Sequence, residues 1–180
     1  MAEHIDQATI QSTMRLIRDR DWLPLLRHTE QPETVQSRLL STILSSQRDT
    51  QFGRRYRFAS IRSYEEFVQA VPVFEYEDLR QDIERQEQSG ELLQNAEQPV
   101  HYVQTSGTTG KPKYVPLIQS AMDWIGQYQR LFSYAQWVGV SGIYDGQVLV
   151  IAGQPVEGRL PGGAPYGSMS GVMNEGLPQA

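Results

Sequence analysis

HYVQTSGTTGKPKYVPL, residues 101–117, places two glycines, two lysines and four serine or threonine residues between two apolar runs. An ordinary hairpin loop takes about two to five residues and a glycine or two. This one is longer, rich in donors and positively charged. Val100, Tyr102 and Val103 predict a strand leading into it. Tyr114 to Ile118 predict a second, shorter extended segment leading out.

Outward from the loop the texture differs on the two sides. Downstream, Ala121, Trp124, Ile125, Tyr128, Leu131, Phe132 and Ala135 recur at three and four, which predicts an amphipathic helix ending near Gly139. Its aromatic face suits core packing or the lining of a pocket. VLVIA, residues 148–152, is a continuous apolar run, as expected of a strand covered on both faces. Residues 153–180 are dense in glycine and proline. They read as a flexible tail, or as a chain cut before its sheet is complete. GSMSG at 167–171 has the outline of a nucleophile elbow, but Met169 stands at the central position, so no nucleophile is presented there.

Upstream, residues 1–99 predict mainly helix. Ile10, Met14 and Ile17 give helical spacing over residues 6–28, with Pro24 ending or kinking the helix. A helix opening at Pro32 and Glu33 carries Val35, Leu39, Leu40, Ile43 and Leu44 and is expected to end near Gly53. Ser63 and Glu66 have capping-box spacing ahead of a short helix through Phe67 and Val68 that stops before Pro72. Leu79 and Ile83 predict a helix over 76–87, closed near Gly90. Helices before and between strands predict an α/β arrangement.

The chain has 180 residues, a net charge of −5 and no cysteine. That length suits one domain or one piece of a larger one. Disulfides, thiolate chemistry and zinc–thiolate sites are excluded, and a reducing compartment such as the cytoplasm is expected. MAEHIDQATI lacks the pattern of a secretory signal, and no apolar stretch reaches the roughly 18 residues of a membrane span. The acidic balance argues against a nucleic-acid partner. Arg54, Arg55 and Arg57 read as a solvated turn.

The loop fails two familiar phosphate motifs. G-x-x-x-x-G-K-[ST] would need glycine where Thr105 stands and a hydroxyl where Pro112 stands. G-x-G-x-x-G is absent. His4, His28 and His101 have no second ligand at helical spacing, so no metal site is expected, and His101 reads as a packed or hydrogen-bonded residue. The loop still has what an anion needs. Gly107 and Gly110 permit backbone conformations closed to other residues. Successive amides can then form a nest. Thr105, Ser106, Thr108 and Thr109 add hydroxyls, and Lys111 and Lys113 add charge. Pro112 biases Lys111 toward an extended backbone. A long polar hairpin loop is the alternative.

TSGTTGKPK closely resembles the first signature of the adenylate-forming superfamily of acyl-CoA synthetases and luciferases. Phe52-Gly53, Tyr56, Phe58, Ile61, Phe67, Val71-Pro72 and Tyr76-Glu77 fall at intervals similar to those of its Gretchen Hagen branch, the acyl-acid amido synthetases. KYVPL resembles this branch too, since most acyl-CoA synthetases have glycine where Tyr114 stands. PYGSMSG is similar to a Gly-Ser-rich segment near that family's acyl pocket. Ile118 departs from the family's usual threonine. The resemblance covers roughly residues 30–175.

The resemblance implies the N-terminal part of a large adenylation domain several times this length. It implies ATP with Mg2+, a carboxylic acid activated as an acyl-adenylate, and an amine acceptor such as an amino acid. Thr105, Ser106, Gly107, Thr108, Thr109, Gly110, Lys111 and Lys113 would hold the pyrophosphate end of ATP. No catalytic nucleophile is named. The competing readings are a truncated non-catalytic module and a nucleotide-binding regulator that keeps the loop.

Overall fold

The computed structural model describes residues 6–105, 110–147 and 149–175. Helix α1 spans Gln7–Ile17, capped by the Asp6 carboxylate, which accepts from the Thr9 amide. A π-helical turn, Arg18–Trp22, leads into α2, Leu23–Thr29. The turn is where the chain absorbs Pro24, whose ring and missing amide disrupt the i→i−4 ladder. The expected 6–28 helix is thus continuous but changes register ahead of its proline. Asp21, on this turn, is 3% exposed and accepts from Arg130 Nε at 2.8 Å and Gln127 Nε2 at 3.3 Å.

Helix α3 spans Pro32–Gln47 and α4 spans Gln51–Arg55. Gly53 was expected to close the first of these; it is instead buried inside the second. A Cβ there would lie 2.1 Å from the Gln47 carbonyl oxygen, so close backbone approach is what demands glycine. The actual break is at Thr50, 2% exposed, whose hydroxyl accepts from the Gly53 amide. The first two amides of α4, those of Gln51 and Phe52, donate to the Leu92 and Leu93 carbonyls. Arg54, Arg55 and Arg57 are exposed, as a solvated turn requires, and Arg57 takes a left-handed φ of 54°.

Helix α5 spans Tyr64–Ala70, with Ser63 accepting from the Glu66 amide. The return bond expected of a capping box shifts by one residue: Glu66 accepts from the Arg62 amide. Helix α6 spans Tyr76–Ser89 and ends on Gly90 at φ 72°, as its spacing predicts.

Strand β1, His101–Thr105, pairs antiparallel with β2, Lys113–Leu117. Helix α7, Gln119–Gly139, follows. Leu149–Ala152 correct the reading of VLVIA as a strand: they form irregular backbone, and Leu149 and Ile151 are 87% and 90% exposed. No described strand lies beside them to complete a ladder. The sheet draws its other strands from the glycine- and proline-rich stretch instead. β3, Gly158–Arg159, and β4, Pro165–Gly167, form a hairpin, and β4 runs parallel to β1. The order is β2-β1-β4-β3. Helix α8, Met169–Glu175, closes the described chain. Residues 153–175 are therefore neither an unpaired tail nor structureless. The α/β expectation of helices followed by a partial sheet is met.

Apolar burial falls into three small groups. Met14, Ile17 and Tyr134 join α1 to α7. Leu44, Phe58 and Ile61 gather α3 to α5, with Phe52, Tyr56 and Phe67 against them. Val103, Leu117 and Val172 join the sheet to α8.

Candidate phosphate-binding hairpin

Thr105 and Lys113 form the last register pair of the β1–β2 hairpin, so residues 106–112 make the connection. Ser106, Gly107, Thr108 and Thr109 lie outside the described residues. Thr105 is half-buried at the end of β1, while Gly110, Lys111 and Lys113 are exposed. Among the predicted site residues, the hairpin thus brings Thr105 and Lys113 face to face. Gly110 does not sit in the left-handed region, and a Cβ there would meet nothing within 4 Å.

The outgoing arm of the hairpin rests on the first turns of α6. The Tyr76 hydroxyl accepts from the Tyr114 amide at 2.8 Å and donates to the Tyr114 carbonyl at 3.1 Å. Arg80 Nη1 donates to the Pro112 carbonyl at 3.0 Å. Arg80 is itself gripped by Glu77, at 2.7 and 2.8 Å, and its side chain is only 15% exposed. The Arg80 guanidinium and the Lys113 ammonium lie 4.8 and 5.6 Å from the centre of the Tyr76 ring, within cation–π range. Lys113 therefore folds back over α6. Glu77 is held below the usual carboxylate range, first by its hydrogen bond to Arg80 and further by the charges of Lys113 and Lys111. The Arg80 guanidinium is correspondingly fixed in its protonated form.

Around this arm the surface is aromatic. Burial pushes the Tyr114 phenol up, and its ring meets that of Tyr166 edge to face at 5.0 Å, across the intervening strand β1. Tyr102, 1% exposed on β1, is pushed up to about 12 by burial. His101 is half-buried, and burial lowers its pKa.

Two expectations near the site change. Ile118 holds the N-cap position of α7 without a side-chain bond, and the Glu97 carboxylate serves instead, accepting from the Ser120 amide at 3.1 Å. Trp124, Tyr128 and Phe132 are 51%, 62% and 65% exposed, so they do not pack in a core among the described residues. In GSMSG both serines are structural. Ser168 accepts from the Gly171 amide at 3.0 Å, and Ser170 accepts from the Gly153 amide at 3.0 Å. Gly167 and Gly171 let the 154–155 backbone lie against them, since a Cβ at either would fall 2.0 or 2.4 Å from Pro155 atoms.

Sequence reasoning named Tyr76 and Glu77 only as motif positions and missed Arg80 and Glu97. The signal for Arg80 was its place four residues after Tyr76, on the same helix face. Nothing local marked Glu97. Hydroxyls and lysines suit an anion. Among the described residues no three His, Asp or Glu side chains gather as a cation would require. No described helix is long and apolar enough to cross a membrane.

These elements have the fold of the N-terminal part of an acyl acid amido synthetase. The solved GH3.15 acyl acid amido synthetase superposes with a TM-score of 0.71 at 22% identity, covering 86% of this chain and 28% of that one. AtGH3.15 in complex with 2,4-DB gives the same TM-score and identity over 97% of this chain and 30% of that one. The family model of the GH3 family N-terminal domain matches residues 24–178, and the chain belongs to the GH3 family. The probable indole-3-acetic acid-amido synthetase GH3.1 of Arabidopsis thaliana is 30% identical over 142 residues, 76% of this chain and 24% of that protein. The probable indole-3-acetic acid-amido synthetase GH3.2 of Oryza sativa subsp. japonica is 30% identical over 135 residues. The chain spans about a quarter of the length of these relatives.

Proposed function

We propose that this chain is the phosphate-gripping N-terminal part of an ATP-dependent ligase that joins a carboxylic acid to an amine. What supports the reading is one juxtaposition: Thr105 and Lys113 close the stem of a hydroxyl-, glycine- and lysine-rich loop inside a GH3 N-terminal domain. Thr105 to Lys111 hold the β and γ phosphates through amides, hydroxyls and one ammonium, with Lys113 a secondary cation. In the reaction a carboxylate oxygen bonds the α-phosphorus of ATP and the bond to pyrophosphate breaks. The amine then takes the acyl group and AMP leaves. The loop's part is to orient the leaving pyrophosphate and offset its charge, which is where phosphoryl catalysis gains most. Mg2+, when bound by ATP, supplies further charge neutralisation.

The exposed stripe of Trp124, Tyr128 and Phe132 is offered as one wall for the acyl group. The relatives' names make an aryl acid such as indole-3-acetic acid the first acid to test, with an amino acid as acceptor. The 180 residues alone are expected to give no turnover. The lack of cysteine suits the cytoplasm.

Titration of the isotopically labelled chain with inorganic tripolyphosphate tests the loop directly. Amide shifts confined to residues 105–111 and abolished by Lys111→Ala are expected. Shifts centred on Arg54, Arg55 and Arg57 instead would overturn the assignment. Micromolar ATP affinity of these residues by themselves would favour a nucleotide-binding regulator.

A further inference from the structure

Proline has no N–H, so Tyr102 and Pro116 form a non-hydrogen-bonded pair of the antiparallel ladder. Pairs alternate, so Gln104 and Tyr114, two residues along, form another. The amide and carbonyl of Tyr114 therefore face away from β1. β2 is the outer strand of the sheet, so both groups stand at its open edge. The Tyr76 hydroxyl takes both, acting as a one-residue substitute for a neighbouring strand. Pro112, two residues nearer the loop, has no amide to satisfy, and Arg80 takes its carbonyl. The three bonds from α6 thus flank Lys113 and end one residue from Lys111. A generic edge cover would not need an arginine so constrained. Glu77 fixes Arg80 in place, and the Tyr76 ring lies beneath both Arg80 and Lys113.

We infer that Tyr76 and Arg80 are positioning residues: they set the direction of the loop's outgoing arm, with Lys113 folded back over the Tyr76 ring, so that Lys111 faces a bound polyphosphate. The inference rests on the polyphosphate reading of the loop. Neither residue touches the ligand in this scheme. Their effect passes through the backbone of Pro112 and Tyr114, which makes it sensitive to the loss of a single hydroxyl.

The test compares the chain with Tyr76→Phe, Arg80→Gln and Arg80→Lys, using inorganic tripolyphosphate and amide hydrogen exchange. Phe keeps the ring beneath the cations and removes only the hydroxyl. The Tyr114 amide is expected to exchange about tenfold faster in Tyr76→Phe, with α3 and α7 amides unchanged. Tripolyphosphate affinity is expected to fall about threefold to tenfold in Tyr76→Phe, which loses two hydrogen bonds, and in Arg80→Gln, which loses one. Arg80→Lys should recover part of the loss, because an ammonium still donates to the Pro112 carbonyl; a purely structural staple predicts no such link between rescue and affinity. Wild-type affinity in both Tyr76→Phe and Arg80→Gln overturns the inference and leaves the polyphosphate reading standing. No response of the wild-type chain overturns that reading, and the inference with it. Should Tyr76→Phe fail to fold, Arg80→Gln carries the same comparison with the tyrosine hydroxyl in place.

Discussion

Two apolar runs in this molecule have similar composition and opposite fates. In β1, Tyr102 and Val103 are 1% and 7% exposed; in the 149–152 run, Leu149 and Ile151 are 87% and 90% exposed. Both are rich in residues that favour strands. The difference lies in the neighbours. β1 has β2 on one side and β4 on the other, so its backbone groups are paired and its side chains covered. Leu149–Ala152 have no described strand beside them. An apolar run states what a segment can bury, and the fold decides whether anything arrives to bury it.

The largest effect that would break this comparison is expected at Tyr102. Tyr102→Ala should lose about 3 to 5 kcal/mol, read from the midpoint of urea unfolding. A loss below about 1 kcal/mol would mean that β1 is no better buried than the exposed run. Next comes the strand that covers β1. Gly167→Ala forces a methyl to within 2.0 Å of the Pro155 carbonyl oxygen and should cost about 1 to 3 kcal/mol. Gly110→Ala, by contrast, meets nothing and should change stability by less than about 0.5 kcal/mol.

Asp21 extends the comparison to a polar group with its partners in place. Burial works to raise its carboxyl, but hydrogen bonds from Arg130 and Gln127, with the charges of Arg130 and Arg20, bring it below the ordinary value of 3.8. A depressed folded-state pKa adds stability that is complete above the unfolded value and is lost as pH falls through the folded one. Asp21→Asn should therefore be less stable by about 1 to 2 kcal/mol at pH 7, discounted for the partly exposed Arg130. The gap between the two proteins should close on acidification below about pH 4. A gap that persists there would show that the carboxylate charge contributes nothing. The smallest effect is expected from Leu149→Ser with Ile151→Ser, within about 0.5 kcal/mol of wild type.

Much of the fold was legible because helical signals are local. Gly90 and Ser63 closed and opened their helices as their chemistry dictates, and the α7 periodicity spans its whole length. What escaped depends on contacts between distant segments. Gly53 looked like a terminator and is a packing glycine against Gln47. The Gly/Pro-rich stretch looked unstructured and supplies the strand beside β1, since two- and three-residue strands leave no periodicity to detect. The loop's stem residues Thr105 and Lys113 were visible from composition and motif. The α6 support was half visible, in Tyr76, while Arg80 and Glu97 act through backbone groups far along the chain.

The account stands or falls with the grip of Thr105 to Lys111 on the pyrophosphate end of ATP. The most direct measurement is acid-dependent ATP–pyrophosphate exchange in a protein that joins this chain to the remaining domains of a GH3 synthetase, compared with its Lys111→Ala variant. A fall of roughly 100-fold or more is expected, the scale of losing a charge-stabilising contact in the transition state. An unchanged exchange rate would contradict it.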